Sequence, residues 1–232
     1  LIGGLAGDAL TTGSGNTAVG YGTLSVEQAG GRNVAIGWKA LVNQNTGVDS
    51  YNVAVGYEAG ELITTGIQNT MIGGLACDAL TSGTGNVALG FASLSSETTG
   101  NRNTAVGWKS LEQLNNTGSA YNTAFGYEAG LNVSTGIKNT LIGGLAGDNL
   151  TTGSNNILIG YDATASAVGV SNEVTIGDNN ISLLRIPGLG STDGHVLTYE
   201  AASGGIVLKA GGGGGASSLN GLSDVLIDGT SN

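Results

Sequence analysis

The stretch Asn33-Val34-Ala35-Ile36-Gly37-Trp38-Lys39-Ala40 decides the fold, because near copies of it recur along the chain. It returns almost unchanged as Asn103-Thr104-Ala105-Val106-Gly107-Trp108-Lys109-Ser110. Its apolar-Gly pair belongs to a series running from Val19-Gly20 through Val55-Gly56, Ile72-Gly73, Leu89-Gly90, Phe125-Gly126, Ile142-Gly143 and Ile159-Gly160 to Ile176-Gly177. Counted from Gly3, the steps between these glycines are 17, 17, 19, 17, 17, 17, 19, 17, 17 and 17 residues. The short unit is therefore 17 residues, nested in a superunit of 70, and residues 1–70 match residues 71–140 at 39 of 70 positions without a gap. A fixed period of this kind is the signature of a repeat architecture.

Each unit reads in the same way. Asn stands four residues before the Gly (Asn16, Asn33, Asn52, Asn69, Asn86, Asn103, Asn122, Asn139, Asn156), and a small residue stands three after it, as in Ala6, Ala40, Ala59, Ala76, Ala129, Ala146 and Ala163. Between Asn and Gly the pattern is that of a strand with alternating faces. Val53 and Val55 share one face and Ala54 takes the other. Asn and Gly suit the corners that end such a strand, where positive φ is called for. Seventeen residues are too few for helix-pair repeats or a propeller blade. One coil of a parallel β-solenoid fits, each stacking about 4.8 Å above the last. The expected fold class is all-β: a parallel β-solenoid, or β-roll, of ~17-residue coils over residues 1–180. So thin a coil has little interior, and the alanine-rich face is expected to pack against sister chains.

The pattern lapses after Gly177, and Pro187 cannot donate to a strand ladder. Residues 181–210 read as a connector and small β-hairpin, His195–Tyr199 against Ile206–Lys209. Residues 211–216 read as a flexible Gly linker and 217–232 as the start of a further module. Gly makes up 44 of 232 residues while Pro occurs once, which excludes collagen. Seven Lys+Arg against 17 Asp+Glu argue against a nucleic-acid or anionic-lipid partner. No apolar run is long enough to insert in a membrane. Leu1-Ile2-Gly3 opens in mid-motif, so the chain reads as a piece of a longer polypeptide.

The residue after the Gly is aromatic in most units: Tyr21, Trp38, Tyr57, Phe91, Trp108, Tyr127 and Tyr161, with Gly4, Gly74 and Gly144 in the intervening phase. Stacked coils would set these rings in a ladder along one edge. A ladder that shields coil corners is the structural reading. A glycan or receptor platform is the functional one, since aromatic faces pack on sugar rings while polar tips stay wet. Trp38-Lys39 and Trp108-Lys109 would be its strongest members. The 19-residue units carry their extra length in Val42–Tyr51 and Glu112–Tyr121, polar segments that map to loops. No catalytic constellation, metal-ligand spacing or cofactor motif emerges, and no enzyme is expected. His195 stands alone, and Asp8, Asp78, Asp148, Glu58 and Glu128 recur singly as a solvated face. Cys77 replaces Gly at its phase and reads as a buried or interface thiol.

Asn33-Val34-Ala35-Ile36-Gly37-Trp38-Lys39-Ala40 is similar to the head repeats of trimeric autotransporter adhesins. Asn103-Thr104-Ala105-Val106-Gly107-Trp108-Lys109-Ser110-Leu111 resembles still more closely the repeats of bacteriophage tail fibres. The resemblance covers residues 1 to about 180. The adhesin likeness implies a left-handed parallel β-roll wound as a homotrimer. The tail-fibre likeness implies a virion location, other tail or fibre proteins as partners, and a part in attachment to host cell-surface glycan. A bacterial surface adhesin is the alternative. An ice-binding solenoid is a third reading, weakened because Val34, Val53, Val87 and Ile157 interrupt the Thr series such a surface needs.

Overall fold

The structure is a computed structural model that describes residues 1–181 and the backbone of residues 195–200 and 205–210. It divides into two units, Leu1–Ser182 and Leu183–Asn232.

The first unit is a β-solenoid. Its strands are β1 Thr17–Val19, β2 Val34–Ile36, β3 Val53–Val55, β4 Thr70–Ile72, β5 Val87–Leu89, β6 Thr104–Val106, β7 Thr123–Phe125, β8 Thr140–Ile142, β9 Ile157–Ile159 and β10 Val174–Ile176. They form one parallel sheet in chain order. Equivalent positions face one another throughout: Ala18 lies opposite Ala35, Ala88 opposite Ala105 and Leu141 opposite Leu158. The rest of each coil is tied to the next as well, through bonds such as Leu24 N–H to the Ala40 carbonyl and Thr81 N–H to the Thr98 carbonyl. Three-residue strands are far too short to stand alone; stacking supplies the partners that their backbone groups require.

Two columns set the coil spacing. In the first, the Asn side chains form a buried ladder. Asn86 Oδ1 accepts the Asn103 backbone N–H at 2.9 Å, while Asn86 Nδ2 donates to the Gly100 carbonyl of the next coil at 2.8 Å. The same pair of bonds recurs at Asn52, Asn69, Asn122, Asn139 and, with Val170 as acceptor, Asn156. The ladder ends on Glu173, whose N–H reaches Asn156 Oδ1 and whose carboxylate turns back to the Ser166 N–H and hydroxyl. In the second column the Gly that follows each strand lies against its counterpart one coil on. A Cβ on Gly3 would stand 2.6 Å from the Gly20 carbonyl oxygen, and φ there is +128°. Gly20 through Gly143 repeat this collision at every coil, so no side chain fits.

The interior corrects the expectation for the alanines. Ala18, Ala35, Ala54, Ala88, Ala105 and Ala124 are fully buried inside their own coil, as are Ala40, Ala59, Ala76, Ala129, Ala146 and Ala163. They fill a flat, narrow core rather than an outer face. Volume is balanced within it. Leu41 and Leu111 occupy the position four after the Gly where the strand carries Ala. Where the strand carries Met71 or Leu141, that position nearby is Gly60, Gly130 or Gly147. A Cβ on Gly130 would meet Leu141 Cδ1 at 2.6 Å. The outward side of the sheet carries Thr and large apolar residues, with Leu89, Phe125, Ile142, Ile159 and Ile176 exposed.

The corners also depart from expectation. The ladder asparagines do not take positive φ; Leu24, Arg32, Lys39, Leu41, Tyr51, Glu58 and their equivalents do, at φ between 50° and 65°. Asn is required at its position for its amide, not for its backbone freedom.

In the second unit β11 His195–Glu200 pairs antiparallel with β12 Gly205–Ala210, His195 opposite Ala210 and Tyr199 opposite Ile206. The proposed linker 211–216 and module 217–232 lie outside the described residues.

Candidate functional site

The position after the Gly column lies at the corner where the chain leaves each strand, so its side chains project outward. Tyr21, Trp38, Tyr57, Phe91, Trp108, Tyr127 and Tyr161 are all exposed there, from 38% for Trp108 to 69% for Tyr161. Stacking divides them into runs. Tyr21 and Trp38 lie 4.6 Å apart between centroids with planes inclined by 20°. Phe91, Trp108 and Tyr127 make a second run with spacings of 6.4 and 5.0 Å. Breaks occur at Gly4, Gly74 and Gly144. At Gly74 the Phe91 ring leans in, so that a Cβ would meet its Cδ2 at 3.4 Å. Rings stacked in this way cover one another's faces, and each run offers a sugar its edges and its two end faces.

Charges flank the rings. Lys39 Nζ lies 3.2 Å from Glu61 and 3.8 Å from Glu58, and Lys109 Nζ lies 3.0 Å from Glu112. Lys109 also stands 4.9 Å above the Trp108 ring, a cation–π geometry. Beside them Asp78 is half-buried with Oδ1 unpartnered, and burial raises its pKa above the usual carboxylate value, as it does for Asp148. Among the described residues no three His, Cys, Asp or Glu side chains converge as a metal set would. Cys77 is buried, and the loss of solvent pushes its thiol pKa far up, so it is an inert core thiol.

Two features escaped sequence reasoning. The first is a pair of buried carboxylates, Glu27 and Glu97, 70 residues apart. Glu27 anchors the long corner of the first 19-residue coil: its carboxylate accepts Gly30 N–H at 2.7 Å, Thr46 N–H at 3.0 Å and Gln44 Nε2 at 3.1 Å. Burial raises its pKa, but these donors outweigh burial and the net shift is downward. Glu97 accepts Thr98, Thr99 and Gly100 N–H groups on one oxygen and Asn116 N–H on the other. Leu114 and Ala120 stand there in place of Gln44 and Ser50. Burial prevails over the remaining donors, and the Glu97 pKa is raised. The second feature is the corner before each strand, where Arg32 lies over the Tyr51 ring and Arg102 over Tyr121, at 5.4 and 5.6 Å. The signal for both was present as identities at a spacing of 70, but neither position has a chemistry that distinguishes it from a solvated surface.

Comparison of the chain with protein-family models, with curated proteins and with solved structures finds no match.

Proposed function

We propose that this chain is a non-enzymatic segment of a virion fibre of the bacteriophage tail-fibre kind, which spaces or presents a receptor-binding tip during attachment to the host. The observation that carries this reading is the uninterrupted register of ten parallel strands. Nine steps of about 4.8 Å give a shaft of roughly 43 Å whose every coil is bonded to its neighbours. The same Asn and Gly columns, repeated coil after coil, make a spacer.

The fibre assembles as a homotrimer through the last residue of each strand on the outward side of the sheet, which leaves the first strand residues free. Leu89, Val106, Phe125, Ile142, Ile159 and Ile176 form a continuous apolar strip there. A strip so long and apolar is unusual on a free surface. Other fibre proteins adjoin the segment, and the aromatic edge, with Lys39 and Lys109, contacts cell-surface glycan. Sedimentation of the full chain is expected to give three times the 22.8 kDa chain mass; a stable monomer at micromolar concentration overturns the trimer. Antibodies to residues 71–140 are expected to decorate the fibres of particles that carry the chain and to slow adsorption. Decoration of a bacterial surface with none on particles overturns the virion reading in favour of a surface adhesin.

A further inference from the structure

The two superunits differ at one corner in a concerted way. In the first, Arg32 is neutralised: its guanidinium reaches the Tyr51 hydroxyl, and its Nε lies 3.3 Å from Asp49 Oδ2. The next residue in that column is the neutral Gln68. In the second, Asp49 is replaced by Ser119 and Gln68 by Lys138. Arg102 Nη1 donates to Ser119 Oγ at 2.6 Å and to Tyr121 Oη at 3.1 Å, which holds the guanidinium in place. Its Nε–Nη2 edge takes no side-chain partner among the described residues. None of the described ion pairs includes Arg102 or Lys138.

The local charge thus changes from Arg32 with Asp49, which sums to zero, to Arg102 with Lys138, which sums to +2, in a chain of net charge −10. The neighbouring outward strand positions change in parallel, Val34 to Thr104 and Val53 to Thr123, with Thr140 completing three hydroxyls beside the corner. A pre-ordered guanidinium fork matches a carboxylate in two-point geometry. A second cation two coils away, roughly 9.6 Å along the shaft, and a row of hydroxyls suit the body of a sugar.

We propose that Arg102, Tyr121 and Lys138, with the Thr104, Thr123 and Thr140 hydroxyls, form a binding site for a carboxylate-bearing saccharide, and that Asp49 masks the equivalent corner of the first superunit. The site deepens the reading of the fibre as a glycan-contacting surface and rests on it for its biological setting. Titration calorimetry of the full chain with a glucuronate-terminated oligosaccharide is expected to give one site per chain. The neutral glucose counterpart should bind at least tenfold more weakly. Ser119→Asp and Lys138→Gln should each weaken binding at least tenfold, and Asp49→Ser, Gln68→Lys, Val34→Thr and Val53→Thr together should create a second site. This gain-of-site variant decides the matter if Ser119→Asp proves misfolded. Equal affinity for the neutral sugar, insensitivity to Ser119→Asp, or no second site overturns the proposal. Inorganic phosphate binding as tightly as the glucuronate also overturns the sugar assignment. Loss of saccharide binding alongside intact assembly and particle decoration would remove this site while leaving the fibre reading standing.

Discussion

At the scale of single residues, two positions show how differently the same residue type is constrained. Gly90 has φ of +140° and its missing Cβ lies against the Gly107 backbone, whereas Gly47 has φ of +67° and nothing within 4 Å. Gly47→Ala is expected to cost about 1 kcal/mol, the left-handed penalty alone. Gly90→Ala adds overpacking to strain and is expected to cost about 3 kcal/mol or more; urea midpoints of the two variants would measure the difference. The buried glutamates make a second contrast. The Glu27 pKa lies below its unfolded value, so its stabilisation is present above the ordinary glutamate range and is lost as pH falls through the folded pKa. The Glu97 pKa lies above, so a cost appears as pH rises through it. Glu27→Gln should therefore lower stability at pH 7 by about 1–2 kcal/mol and converge with wild type in acid. Glu97→Gln should abolish the loss of stability that wild type shows as pH rises through the Glu97 pKa, while forfeiting an acceptor for the Asn116 N–H. Thermal melts from pH 3 to 8 would test both signs.

At the scale of the element, each strand is only three residues long, so the Asn ladder beside it acts as a fourth backbone-like rung. Asn86 satisfies one N–H and one carbonyl of the following coil. Asn86→Ala would strand both buried groups, at about 1–3 kcal/mol each. The expected result is a drop in stability of several kcal/mol, together with faster hydrogen exchange at the Asn103 amide than at amides in distant coils. Uniform exchange along the solenoid would contradict a locally acting ladder. The ladder is weakest at the 19-residue coils. Asn33 Nδ2 bonds to Gly31 of its own coil instead of crossing to the next, and Asn103 Nδ2 bonds only back to Asn86. There Glu27 and Glu97 take over the task of fastening the chain to the longer corner.

At the scale of the whole solenoid unit, every coil touches only its neighbours, so stability is a sum of coil and interface contributions. Residues 70 and 140 are equivalent, both Thr leading a strand, and Met71 and Leu141 follow them in the interior. In-frame deletion of residues 71–140 joins Thr70 to Leu141 and reproduces the existing Thr140-Leu141 junction. The shortened chain is expected to fold with the same circular dichroism per solenoid residue and a modestly lower melting temperature. Loss of the β signal would show that the coils are not interchangeable, contrary to a nearest-neighbour stack.

The amino-acid sequence by itself determined the stacking. A 17-residue period with one short alternating segment leaves backbone groups that only an equivalent coil can satisfy, and a Gly in strict register marks where those coils approach most closely. The aromatic edge was equally legible, because periodicity alone places Tyr21, Trp38 and Tyr57 in one column. Which side of the strand is interior was decided only by the tertiary structure. Ala54 and Val53 are both apolar, and the choice depends on how much room a flat coil leaves once Leu41 and Ile63 are inside it. The same holds for Leu24, Lys39 and Arg32 at positive φ, where tertiary bonds override local preference, and for Glu27, whose burial is tolerated because Gln44 and Thr46 fold over it. The unmasked Arg102 corner belongs with them, since its character depends on residues 17 to 36 positions away that only the winding of the chain brings alongside.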